Sequence, residues 1–179
     1  MKTTPLARQR GITLIETCMV LAVSTVLATT AAPGMQDLIA ARRLDNTASQ
    51  LANDIHLIRT AAVTRNQTLR LSFLPRAGGS CYVIHTGNAG DCACNGTGPA
   101  LCQGDAREIK TVALSDSDQA IVAANVGSMR FDPMHGTSTP TGTVRIVGAG
   151  GREVRHIVNI MGRVRSCSPA PAVPGYRAC

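Results

Sequence analysis

The chain has 179 residues, 18 Lys+Arg against 11 Asp+Glu, a formal net charge of +7, and 44% hydrophobic against 16% charged residues. That composition excludes a disordered or low-complexity chain, and the length suits one domain with a core of its own. With two Phe, two Tyr and no Trp, that core must be mostly aliphatic.

The charge is unevenly spread. Residues 1–11 carry Lys2, Arg8 and Arg10 and no acid; residues 12–129 carry eight bases and nine acids; residues 130–179 carry seven bases and two acids. An anionic partner is therefore to be sought at the two ends of the chain.

After the basic segment Met1–Gly11, the predominantly apolar stretch Ile12–Ala32 has Glu16 as its only charge. As a helix rising about 1.5 Å per residue it just crosses a bilayer core of about 30 Å. A cleaved secretory signal shares the basic start and apolar middle. Against that reading, a carboxylate at membrane depth costs about 2.5–3.5 kcal/mol and usually has a partner. Helical spacing also continues far beyond the run. The leader's charge narrowly exceeds that of Arg42 and Arg43 offset by Asp37, which places the N-terminus in the cytoplasm and exports the rest.

Beyond Gly34, Leu44, Ala48, Leu51, Ile55, Ile58 and Ala62 recur at three- and four-residue steps. This is the pattern of an amphipathic helix lying on a core, and it predicts one helix running from Ile12 to about Asn66. The remainder reads as strands. Leu69, Leu71 and Phe73 alternate with Arg70 and Ser72, and Val144 and Ile146 alternate with Thr143, Arg145 and Val147 up to the turn Gly148–Gly151. Further strands are predicted over Cys81–Thr86, Arg107–Leu114, Gln119–Ala123, Gly127–Asp132 and Arg152–Ile160, with Gly87–Gly104 as a Gly- and Cys-rich loop.

Gly11, Ile12, Thr13, Leu14, Ile15 and Glu16 resemble the type IV pilin signature: a basic leader ending in Gly, then a hydrophobic helix with Glu as its fifth residue. The resemblance implies that a prepilin peptidase cuts after Gly11 and methylates the new amine of Ile12, where the family usually has Phe. It also implies a bend at Pro33. In a bundle of such helices the Glu16 carboxylate would neutralise a neighbour's N-terminal ammonium, since two unpaired charges there would be prohibitive.

A second resemblance lies in Ile58–Leu71, in Met129-Arg-Phe-Asp-Pro-Met-His-Gly136 and in Ile157-Val-Asn-Ile-Met-Gly-Arg-Val-Arg165. These segments are similar to the FimT/GspH family, which holds minor type IV pilins and the minor H pseudopilin of type II secretion. The expected fold is α+β and pilin-like, a long N-terminal helix packed on an antiparallel β-sheet head. The expected division is a prepilin leader 1–11, a transmembrane helix 12–32, its amphipathic continuation 33–66, and a periplasmic head 67–179 with a basic tail. The expected location is the inner membrane, single-pass, and then a pilus or pseudopilus.

Of the seven cysteines, Cys18 lies in the apolar helix and reads as a packing residue. The remaining Cys81, Cys92, Cys94, Cys102, Cys167 and Cys179 are an even set in an exported domain, which points to disulfides with 15 possible pairings. A metal site of Cys92, Cys94, Cys102 and His85 is the alternative, but its spacing matches no usual zinc pattern, so neither metal nor cofactor is expected. The preferred pair is Cys167–Cys179, closing a loop stiffened by Pro169, Pro171 and Pro174 at a gain of about 3 kcal/mol. The other pairs would staple the 81–102 loop.

Gly162-Arg-Val-Arg165 reads as the end of the last strand, with Arg163 and Arg165 on one side and Val164 inward. Arg177 precedes Cys179, and Arg145, Arg152 and Arg155 lie on the preceding hairpin. In the FimT branch a Gly-Arg-x-Arg element near the C-terminus is linked with DNA binding during natural transformation, and Gly162, Arg163 and Arg165 match it. Phe73 and Phe131 read as buried, leaving few aromatic platforms for base stacking. The implied mode is sequence-independent contact with duplex phosphates. Scattered histidines and the absence of a nucleophile elbow argue against an enzyme. The expected partners are other pilins or pseudopilins, prepilin peptidase, the inner membrane and double-stranded DNA. The alternative is the minor H pseudopilin acting in protein export.

Overall fold

The computed structural model describes residues 12–96, 98–118 and 120–179. The leader, including the expected cut at Gly11, lies outside them. The chain divides into two compact units, the first ending at Leu38 and the second running Ile39–Cys179. Helix α1, Leu14–Thr64, contributes to both.

In the first unit the helix begins at a capping motif. The Thr13 hydroxyl accepts a hydrogen bond from the Glu16 amide at 3.4 Å, so Thr13 is the N-cap and Glu16 stands at the third helical position. The segment from Ile12 to Ala32 is exposed along its whole length. Its hydroxyls are satisfied internally: Thr17, Ser24 and Thr25 donate to the carbonyls of Leu14, Val20 and Leu21 at 2.7–2.8 Å. An apolar solvent requires this, since it offers no partner of its own. The helix continues through Pro33, which supplies no amide hydrogen to the Thr29 carbonyl.

In the second unit the expected stripe is the buried one. Leu44, Ala48, Leu51, Ile55, Ile58 and Ala62 are each 0–1% exposed. They pack into one core with the inner faces of two antiparallel sheets. The first sheet has strand order β5-β2-β1-β7-β8, formed by Leu69–Arg76 (β1), Gly79–His85 (β2), Glu108–Ser115 (β5), Ser128–Phe131 (β7) and Ser138–Thr139 (β8). The second has order β11-β10-β9-β6, formed by Ala120–Ala124 (β6), Gly142–Gly148 (β9), Glu153–Val158 (β10) and Val164–Cys167 (β11). Alternation decides the faces as expected: Val144 and Ile146 of β9, opposite His156 and Val154 of β10, point into the core.

The segment read as a loop has structure of its own. Cys92–Ala93 (β3) and Leu101–Cys102 (β4) form a small hairpin. It folds over Cys81 and Val83 on the outer face of β2, giving a second apolar cluster.

Two polar ties set the helix against the sheets. The Asp54 carboxylate accepts from the Tyr82 phenol at 2.8 Å and from Lys110 Nζ at 2.7 Å, joining α1 to β2 and β5. Burial, and then the Asp54 charge, push the Tyr82 phenol well above its ordinary range. On the other side, His156 Nε2–H donates to the Ala48 carbonyl at 2.8 Å, and its Nδ1 accepts from the Ser166 hydroxyl at 2.8 Å.

Burial holds the His156 pKa below its ordinary 6.5, outweighing the opposing pull of the Ala48 carbonyl. Below that pH the unfolded chain takes up a proton that the folded one resists. The stability His156 confers is therefore complete above about pH 7 and declines as pH falls through the value of 6.5. Thermal unfolding between about pH 7.5 and 5.5 should show this decline. His156→Gln, which keeps a donor for Ala48 but does not titrate, should show a shallower one.

Candidate functional site

Strand β10 ends at Val158, and the chain reverses through Asn159–Gly162 before β11 starts at Val164. The Gly162 amide donates to the Asn159 carbonyl at 2.9 Å, and the Arg163 amide to Asn159 Oδ1 at 3.0 Å. Gly162-Arg-Val-Arg165 is therefore a hairpin turn and the opening of β11, not the end of the preceding strand as the sequence suggested. The cause is Gly162, whose φ of +67° breaks the extended run.

Gly162 is also demanded by packing. A Cβ on it would lie 2.8 Å from the Gly136 carbonyl oxygen and 3.0 Å from Arg59 Cδ. Arg59 Nε donates to that same Gly136 oxygen at 3.2 Å. The three segments that carried the family resemblance, 58–71, 129–136 and 157–165, thus meet at Arg59, Gly136 and Gly162. Sequence reasoning did not single out Arg59, because only the fold places it under both turns.

From this turn the basic residues run along the second sheet. Val164 packs against the core, whereas Arg163 and Arg165 are exposed. Arg165 pairs across to Ile157, and Arg155 to Cys167, so Arg155 and Arg165 share the outer face. The Arg155 guanidinium donates to the Glu153 carboxylate, which offsets its charge. Arg152 lies at the far end of β10 from Arg163, separated by about 20 Å of strand. Arg177 is exposed, and its carbonyl accepts from the Ser168 amide at 2.8 Å.

The tail carrying Arg177 is anchored. Val173 is buried, and the Tyr176 phenol donates to Asp45 of α1 at 2.9 Å. Burial, foremost, raises the Tyr176 pKa. Of the two aromatics left open as base platforms, Tyr82 is buried and Tyr176 is half-buried, packed against the core. Arginine contact with phosphate is what this surface offers.

The cysteines are joined as Cys81–Cys94, Cys92–Cys102 and Cys167–Cys179. The first fastens the β3–β4 hairpin to β2, the second joins β3 to β4 within the hairpin, and the third closes the tail. Cys18 is free and exposed on α1. Both ring nitrogens of His85 are engaged elsewhere: its Nδ1–H donates to the Thr86 carbonyl at 2.7 Å, and its Nε2 accepts from the Ser72 hydroxyl at 2.8 Å. On the first unit, Ile12 and Glu16 are both exposed, one helical turn apart.

The family model described as GspH, type II transport protein GspH, matches residues 47–162, well over half of the chain. The chain belongs to the GspH family. Among solved structures it is similar to the type IV minor pilin FimU of Pseudomonas aeruginosa strain PAO1, with 16% identity, 75% of this chain and 95% of that chain covered, and a TM-score of 0.50. The minor pseudopilin EpsH from the type 2 secretion system of Vibrio cholerae follows, with 12% identity, 72% and 98% coverage and a TM-score of 0.48. The likeness to FimU shows the fold, the expected α+β pilin architecture. No curated protein matches the chain. The family match stops at Gly162, so Arg163, Arg165, Arg177 and the Cys167–Cys179 loop lie beyond it.

Gly162→Ala should destabilise the head by about 2 kcal/mol, from the left-handed backbone and the contact with Gly136 together. Thermal unfolding checks this; an unchanged melting temperature would contradict the packing described.

Proposed function

We propose that the protein is a minor fibre subunit of the type IV pilin kind whose basic edge binds duplex DNA for natural transformation. The prepilin peptidase removes residues 1–11 and methylates Ile12, and residues 12–32 hold the chain in the inner membrane with its head in the periplasm. The continuation 33–66, bending at Pro33, supports a head formed by residues 67–179. Removal of the leader leaves side chains with 15 bases against 11 acids, and the surplus lies in residues 130–179.

The observation that carries the DNA reading is the exposure of Arg163, Arg165 and Arg177 along one edge of the second sheet. Arg155 and Arg152 extend the basic character across the neighbouring strand. Arginines on a rigid edge without free aromatic platforms suit phosphate contact, which is independent of sequence and steeply dependent on salt. The description of the family as a type II transport protein favours a second reading, a minor pseudopilin of the H type acting in protein export.

A salt-titrated binding assay on duplex DNA separates the two. Three to five phosphate contacts predict a log–log slope of about −3 to −4.5. Arg163→Gln with Arg165→Gln should make it shallower by about 2 units. Absence of binding at low salt would refute the DNA reading and leave the export reading.

For assembly, the Glu16 carboxylate is proposed to pair with a neighbour's amine. The cap at Thr13 uses only the Glu16 backbone amide, so Glu16→Gln keeps the cap and removes the charge. Processing should continue and incorporation into the fibre should fail, as read by pilus shearing and immunoblot. Normal incorporation of this variant would refute the charge pairing.

A further inference from the structure

We propose that the Cys167–Cys179 disulfide completes the polyanion-binding face, by setting Arg177 in line with Arg155 and Arg145 on the outer side of the second sheet. This rests on the DNA reading above and extends it to a row of residues across the strands, with a covalent bond as the positioning device.

The register supplies the argument. Arg145 of β9 pairs directly with Arg155 of β10, and Arg155 pairs directly with Cys167 of β11. Residues directly opposite in an antiparallel pair project from the same face. Val144 and Ile146, which flank Arg145, are buried, and so are Val154 and His156, which flank Arg155. The row Arg145–Arg155–Cys167 therefore lies on the outer face.

The C-terminal segment adds a further position to this row. Ser168 and Ala178 form a parallel bridge, with the Ser168 amide donating to the Arg177 carbonyl at 2.8 Å and the Cys179 amide to the Ser168 carbonyl at 3.2 Å. The Ser168 hydroxyl turns back to the Glu153 carbonyl, and its bridge partner Ala178, itself exposed, lies on the same side of the pair, so Arg177 and Cys179 alternate to the side of Cys167. The disulfide, whose Cα atoms are 5.0 Å apart, fastens that arrangement.

At about 4.8 Å per strand the row from Arg145 to Arg177 covers about 15 Å, roughly the axial length of four base-pair steps. Glu153 offsets Arg155 at the centre of the row. Its ends, Arg145 and Arg177, together with Arg165 beside it, then carry the attraction. Arg177 lies past the anchors Val173 and Tyr176, where the bridge and the disulfide fasten the segment to β11.

The test uses the full chain in detergent and a duplex of about 20 base pairs, with affinity measured across a salt series. Arg145→Gln and Arg177→Gln should each make the log–log slope shallower by about 0.9. Cys167→Ser with Cys179→Ser should reproduce the Arg177→Gln effect, and adding Arg177→Gln to that pair should produce no further loss. Thermal unfolding verifies that the cysteine variant keeps the docked Val173 and Tyr176. An unchanged slope in Arg145→Gln, or full additivity between Arg177→Gln and the cysteine variant, would overturn the proposal while leaving the DNA reading intact. Absence of binding by the wild-type chain would overturn both.

Discussion

Burial of one stripe of α1 is the interaction on which the head depends. Leu44, Leu51, Ile55 and Ile58 are closed off by two sheets at once, and each such side chain contributes about 1.5–3 kcal/mol when removed from water. The sheets bring only three buried Phe and Tyr rings to this interior, Phe73, Tyr82 and Phe131, so aliphatic side chains of the helix supply much of the remaining filling. The polar ties at Asp54 and His156 occupy opposite flanks of that stripe and allow few alternative registers. A helix rotated by one residue would strand a buried carboxylate beneath β2 and β5.

The same logic separates what the family motifs do from what the tail does. The segments around Arg59, Gly136 and Gly162 are similar to the family because they solve a packing problem, two tight turns meeting over one helical side chain. Gly162, the first letter of the Gly-Arg-x-Arg element, belongs to that problem. Arg163, still in the turn, and Arg165, on the edge strand β11, follow it with exposed side chains. The element therefore joins a structural glycine to surface arginines.

The disulfides divide along similar lines. Cys92–Cys102 closes a small hairpin and Cys81–Cys94 fastens it on the outer face of β2, where it covers Cys81 and Val83. The third, at the opposite margin of the head's sheets, closes a segment anchored by Val173 and Tyr176. In both places covalent bonds add to the hold of a short segment that buries only a few apolar side chains of its own.

Periodicity made the helix, its buried stripe and most strands legible from the residues alone, because side-chain burial follows a repeat of 3.6 or 2. The apolar run with its single carboxylate and the even set of cysteines beyond it were legible for the same reason: each is a local chemical pattern. The reversal at Gly162, the β3–β4 hairpin and the ties Asp54–Lys110, Tyr176–Asp45 and His156–Ala48 were not, because each joins residues far apart in the chain. Sequence could likewise count the basic residues of the last fifty positions but not arrange them. Strand register decided that Arg145, Arg155 and Cys167 share a row, and that Arg152 and Arg163 stand at opposite ends of β10. Cross-strand pairing is set by how the whole core closes, and no stretch of residues carries that information by itself.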